Sequence, residues 1–171
     1  MRYRTILALT VLALACGQPF WKVPPRPPEP VFPTARAAVP IDSILLEHTA
    51  CFGRCPIYAY MLRRTGTATY EGIRFTPVLG RYGADLDSVT FRRLERTVRA
   101  KHFFAMWRDY ASAVTDQPSV ITTAFVGDTV KRVDRYGVGE DAPFELREVE
   151  AAIEETGAAL HWRYEGPSKD W

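Results

Sequence analysis

The spacing of apolar residues changes several times along the chain, and each change predicts a different element. Thr5 to Ala15 is an apolar run of eleven residues. A helix that spans a bilayer needs roughly 20, so this run is too short to cross one. Residues 17–40 have no period and hold eight of the thirteen prolines. Ile41 to Ala50 then reads as a strand running into a turn. In 56–64, Ile57, Ala59 and Met61 alternate with Tyr58, Tyr60 and Leu62. Both faces are apolar or aromatic, which suits a strand inside a sheet. Thr65-Gly66 marks a turn, and 67–73 returns as a second β run. Residues 74–86 carry glycines and Pro77 and predict a short or bulged edge strand.

From Asp87 to Phe104 the period lengthens. Phe91, Leu94 and Val98 stand at i, i+3 and i+7, with arginines on the other face. This predicts an amphipathic helix capped by Asp87 or Ser88. Residues 119–136 form two β runs around Gly127-Asp128, a hairpin signal. Residues 142–157 predict a second helix, with Phe144, Leu146, Val149 and Ile153 inward and Gly157 at its C-cap. Residues 159–164 read as a last strand. This order predicts one α+β domain over 41–164, an antiparallel β-sheet with two packed α-helices, and a tail at 165–171.

The amino terminus changes the picture of where the chain works. Arg2 and Arg4 precede the short apolar run, the arrangement of a secretory signal. The run ends Leu12-Ala13-Leu14-Ala15-Cys16, which looks like a bacterial lipobox. Residues 1–15 are then a signal peptide, and Cys16 becomes the lipidated terminus. Gly17 rather than aspartate follows it, which leans towards the outer membrane, facing the periplasm or the surface. Residues 16–40 are a tether. Proline lacks a donor N–H and fixes φ, so this stretch suits extended polyproline II at about 3.1 Å per residue. Removing 1–15 removes two arginines and no acid, and the formal charge falls from +2 to zero. A neutral domain offers no electrostatic footprint for nucleic acid.

The stretch "CFGRCP" (51–56) carries the main candidate chemistry. With Cys16 lipidated, Cys51 and Cys55 are left as a pair in an oxidising compartment, which favours a disulfide. Gly53 suits a positive φ that would bring the sulfurs together. Two other readings stay open. Thiol–disulfide exchange needs a thiolate of lowered pKa, often at a helix N-terminus. Here a strand pattern follows, with Arg54 as the one nearby cation. A metal reading adds His48 to give H-x2-C-x3-C, a donor set for Cu(I) or Zn(II) that lacks a fourth ligand nearby. His102, at the end of the first helix, and His161 have no obvious partner. Asp109 and Asp116 fall in one predicted loop. Loop aspartates more often cap turns than do acid–base work. No nucleophile elbow, zinc-protease helix or phosphate loop is present.

Three segments together resemble one family. "CFGRCPIYAYML" is similar to a CFGxCPxY signature, carried by Cys51, Phe52, Gly53, Cys55, Pro56 and Tyr58. "HFFAMWRDYASAVTDQPS" is similar to a downstream block carried by Phe103, Phe104, Tyr110, Thr115, Asp116 and Pro118. "RYGVGEDAPFELREVEAAIEE" is similar to a third, helical segment. These resemble the bacterial lipoproteins and secreted proteins called domain of unknown function 6438, over about residues 41–163. The chain departs from that pattern at Gln117, where an apolar residue is expected, and in a longer spacer before Pro143. The resemblance implies no reaction and no cofactor. The expectation is a lipid-anchored bacterial envelope protein, a non-catalytic binding or structural module. Its partners would be the membrane, through the lipid, and an envelope protein or ligand. The alternative is an envelope thiol or copper/zinc protein acting through Cys51 and Cys55. An enzyme or inhibitor using the 109–118 loop is a third reading.

Overall fold

The computed structural model describes residues 39–168. The signal run, Cys16 and most of the proline-rich segment lie outside the described residues. In chain order the elements are β1 (Ser43–His48), β2 (Ile57–Arg63), β3 (Thr67–Arg74), β4 (Gly80–Asp85), α1 (Ser88–Ala100), a 3-10 turn (Phe103–Ala105), β5 (Asp109–Tyr110), β6 (Ser119–Val126), β7 (Thr129–Tyr136), α2 (Phe144–Ala158) and β8 (Arg163–Gly166). The strands make one eight-stranded sheet in the order β5-β7-β6-β1-β2-β3-β4-β8. Every pairing is antiparallel except the two-residue β5, which runs parallel to β7. The α+β class with two helices on an antiparallel sheet therefore holds.

The period-2 pattern sets the core. Ile44, Leu46, Leu62, Ala124, Val126 and Val133 point to one face and are buried. Phe91, Leu94 and Val98 of α1 and Leu146, Val149 and Ile153 of α2 close over them. Burying each such large side chain contributes roughly 1.5–3 kcal/mol. Asp87 caps α1 by accepting the N–H groups of Val89 and Thr90, each at 2.9 Å.

Several expectations are corrected. β4 is not an edge, because β8 pairs outside it; the bulge is real and falls at Arg81/Tyr82. The last strand is Arg163–Gly166, so the domain extends into the expected tail. α1 stops at Ala100, since His102 takes a left-handed φ of 54° that ends the helix before Phe103. Phe144 opens α2 and is exposed, not inward. Gly157 is not a C-cap. It lies inside α2 against Tyr60, where an added Cβ would sit 2.8 Å from the ring.

The antiparallel registers give the sheet two distinct ends. At one end sit the tight turns between β2 and β3 and between β6 and β7, with the start of β1. At the other sit four longer connections: 49–56, 75–79, 111–118 and 137–143.

Candidate functional site

The site is built on the connection between β1 and β2. Cys51 and Cys55 are joined as a disulfide, with Cα atoms 5.8 Å apart. The Gly53 N–H donates to the Cys51 carbonyl at 2.9 Å, tightening the ring. Gly53 does not take a positive φ, contrary to expectation, and a Cβ there would meet nothing closer than Cys51 Sγ at 3.7 Å. The covalent link shapes this loop more than the glycine does.

The loop is laced to its neighbours. Thr49 and Ser119 pair through Thr49 N–H to the Ser119 carbonyl at 3.0 Å and Ser119 N–H to Thr49 Oγ1 at 2.8 Å. The Phe52 N–H donates to the Asp116 carbonyl at 3.1 Å. The Arg54 guanidinium lies 5.4 Å from the centre of the Phe75 ring. The Gly137 N–H donates to the Pro118 carbonyl at 2.9 Å, and the Gln117 N–H to the Tyr136 hydroxyl at 3.0 Å. The cysteine segment and the 115–118 segment, remote in sequence, thus form one surface. Asp116 turns the second loop with a φ of 63°. Asp109 does not share that loop. It stands in β5, in register with Asp134 of β7, so Asp109 and Asp116 do not form one carboxylate site. Of the remaining motif positions, Phe103 and Tyr110 are core residues, and the Tyr110 hydroxyl accepts the Trp107 N–H at 2.9 Å. Phe104 packs half-buried against the core.

Beneath the disulfide loop lies a cluster that the sequence did not reveal. His48 Nε2 and the Tyr58 hydroxyl both bond Glu154 Oε1, at 2.8 and 2.7 Å. The two rings stack 4.4 Å apart at 9°. Glu154 is one turn beyond Glu150 on α2, and that i+4 spacing was its only sequence signal. Burial, the bond to Glu154 and its charge push the Tyr58 phenol well above the ordinary tyrosine range. Burial, Glu154 and Tyr70 push Tyr60 up to about 12. Phenols held neutral in this way donate hydrogen bonds and do not act as bases at neutral pH. Rings continue along the sheet through Tyr60, Tyr70 and Trp162 to Tyr82 and Tyr164. Nearby, Arg135 grips Glu150 with contacts of 3.0, 3.0 and 2.7 Å. Burial outweighs Arg135 there and raises the Glu150 carboxyl above its ordinary value. These groups fasten α2 to the sheet and support the loop above.

The metal candidates do not converge. The Cys51 and Cys55 sulfurs are bonded to each other, and His48 Nε2 is engaged by Glu154. Among the described residues no three His, Cys, Asp or Glu side chains are grouped to hold an ion. The surface around the disulfide is apolar instead. Phe52 is 90 % exposed, and Phe75, Val78, Leu79, Val114 and Val138 are exposed in the connections beside it. No curated protein matches the sequence. Residues 42–157 match a family model, and that span covers β1 to α2 with both loops of the site. The chain belongs to the family described as a domain of unknown function (DUF6438).

Proposed function

We propose that the chain is a lipid-anchored protein of the bacterial envelope whose globular domain is a non-catalytic binding module. The observation that carries the reading is Phe52, held 90 % exposed at the tip of a covalently closed loop. Leaving such a ring in water forgoes roughly 1.5–3 kcal/mol of burial, and an exposed apolar patch of this kind marks an interaction site. Its position supports the tether. The described chain begins at Val39, beside Arg99 of α1, at the end of the sheet opposite the disulfide loop. An anchor at Cys16 would thus join the domain at the end away from the apolar rim. The full chain should incorporate labelled fatty acid and fractionate with membranes, and Cys16→Ser should lose both. A full chain that stays soluble without the label removes the anchor from the account.

A second reading, thiol exchange or Cu(I)/Zn(II) binding by the reduced pair, draws on the exposure of Phe52, Gly53 and Arg54 around the disulfide. Graded reduction separates the two. A two-hydrogen mass deficit that persists in mild reductant, with no metal uptake after stronger reduction, supports the binding module. Easy reduction or metal uptake at one ion per chain supports the second reading.

A further inference from the structure

β8 (Arg163–Gly166) is an outer strand of the sheet, and no described strand pairs with it on its far side. Alternate residues of such an edge point their N–H and C=O groups away from the sheet, where another strand can meet them. The opposite outer strand, β5, has only two residues, so β8 is the longer open edge.

A row of tyrosines runs across the sheet to this edge. Tyr60 faces Tyr70, Tyr70 faces Tyr82 and Tyr82 faces Tyr164 in the registers of β2, β3, β4 and β8. The ring centres are 5.1, 6.0 and 5.3 Å apart. Tyr70 has a ring on either side and is 6 % exposed, whereas Tyr164 ends the row and is 63 % exposed.

The other face of the same edge carries charges that alternate. Arg81 lies 3.6 Å from Glu71 and 3.2 Å from Glu165, and Arg163 lies 3.0 Å from Asp85. A charged edge ordinarily keeps other strands away. Here the order Arg163-Tyr164-Glu165 places opposite charges on either side of a central ring. Two copies laid antiparallel about Tyr164 set Arg163 of each against Glu165 of the other, and no like charges face. The existing pairs are exposed and stay in place. Across the seam the order runs Asp85, Arg163, then Glu165 and Arg81 of the second copy, acid and base in turn. A parallel alignment in register would set each charge against its like, which is destabilising.

We propose that β8 pairs antiparallel with β8 of a second copy of this chain, centred on Tyr164, and joins the two sheets into one. Backbone pairing along the edge and burial of the Tyr164 ring drive the contact, and the charges set its register. The contact is isologous, so it closes at two copies. β8 is short, bulged against β4 and followed by Pro167, which offers no N–H, so the seam is confined to its four residues. A seam of that length buries less than the roughly 1,200 Å² of a stable complex, which makes the dimer a weak one. The proposal depends on neither the lipid anchor nor the disulfide rim.

Sedimentation equilibrium of the full chain in density-matched detergent should show a monomer–dimer equilibrium in the micromolar range. Arg163→Glu and Glu165→Arg should each weaken it about tenfold, because each sets like charges together twice across the seam. Mixing the two variants should restore association to the wild-type level, since every facing pair is then opposite again. Mixing does not repair a variant that has merely lost its fold. Tyr164→Cys gives a readout that leaves the charges untouched and decides the question if either charge variant unfolds. Oxidised in the same detergent, it should yield a covalent dimer that Val130→Cys does not. A wild-type chain that stays monomeric up to millimolar concentration, association untouched by both charge variants, a mixture of the two folded variants that stays monomeric, or no covalent dimer from position 164 overturns the proposal.

Discussion

The two ends of the sheet are built from opposite materials. At the turn end, short connections are tied by polar bonds to the start of β1. The Asp42 N–H donates to the Phe125 carbonyl and its own carbonyl accepts the Arg64 N–H, both at 2.8 Å, while its Oδ2 accepts the Gly127 N–H at 2.7 Å. Glu95 of α1 takes the Ile41 N–H, Arg64 and Arg99 at 2.9, 2.9 and 3.0 Å. At the disulfide end, longer loops leave Phe52, Phe75, Val78 and Leu79 in water. The turn end closes through bonds to the start of β1, and the disulfide end, itself laced by hydrogen bonds, exposes apolar side chains in its loops and holds Phe52 within a disulfide-closed ring. Stability should therefore concentrate at the turn end and recognition at the disulfide end.

The largest expected effect is at the turn end. Glu95→Ala removes an acceptor shared by one backbone and two guanidinium donors, and should cost about 3 kcal/mol in denaturant unfolding. Burial pushes the Glu95 carboxyl upward, but the Ile41 N–H, Arg99 and Arg64 outweigh it and hold the pKa below 4.5. For a lowered carboxylate the unfolded chain binds more protons, so the contribution is present above pH 4.5 and lost as pH falls through the folded value. Urea melts in acid should show that loss, and Glu95→Gln should flatten it.

Next comes the staple. Replacing Cys51 and Cys55 together by serine opens a small ring, for which loop entropy gives about 2 kcal/mol. Unfolding should weaken by no more than that, while proteolysis within 49–56 accelerates. A far larger loss would place the stability of the fold at the disulfide end. A smaller change is expected in alkali. The Tyr60 phenol, pushed up to about 12 by burial, Glu154 and Tyr70, keeps its proton when an unfolded tyrosine at 10.0 has lost its own. The folded state then binds more protons, so stability falls as pH rises from 10 to 12. Tyr60→Phe should reduce that slope in melts followed by circular dichroism. Smallest of all, Phe52→Ser should leave the unfolding free energy within about 0.5 kcal/mol, as for other surface changes.

Much of the fold was legible in the sequence, for reasons that are local. Phe91, Leu94 and Val98 mark the buried stripe of α1, Asp87 caps it, and Gly127-Asp128 turns the β6–β7 hairpin. The cysteine and 115–118 segments were each readable, but not their contact, because the Phe52–Asp116 bond joins residues far apart in the chain. The same holds for Glu154, whose partners His48 and Tyr58 are about a hundred positions away. β4 looked like an edge because of the glycines and Pro77 around it. A last strand was legible near 159–164, but not its pairing with β4, which sets Tyr164 against Tyr82. Gly157 looked like a cap, and its reason is the Tyr60 ring of another element. Periodicity reports what a segment buries, and it is silent on which distant segment it meets.

The most direct test of the division between the ends is photocrosslinking in cells. A photoreactive residue is placed at position 52 of the full chain and, separately, at position 130, where Val130 is exposed beside the β6–β7 turn. A discrete adduct from position 52, absent from position 130 and lost when Cys51 and Cys55 are both serine, is the expected result. Adducts of the same kind from both positions, or from position 130 alone, would contradict it.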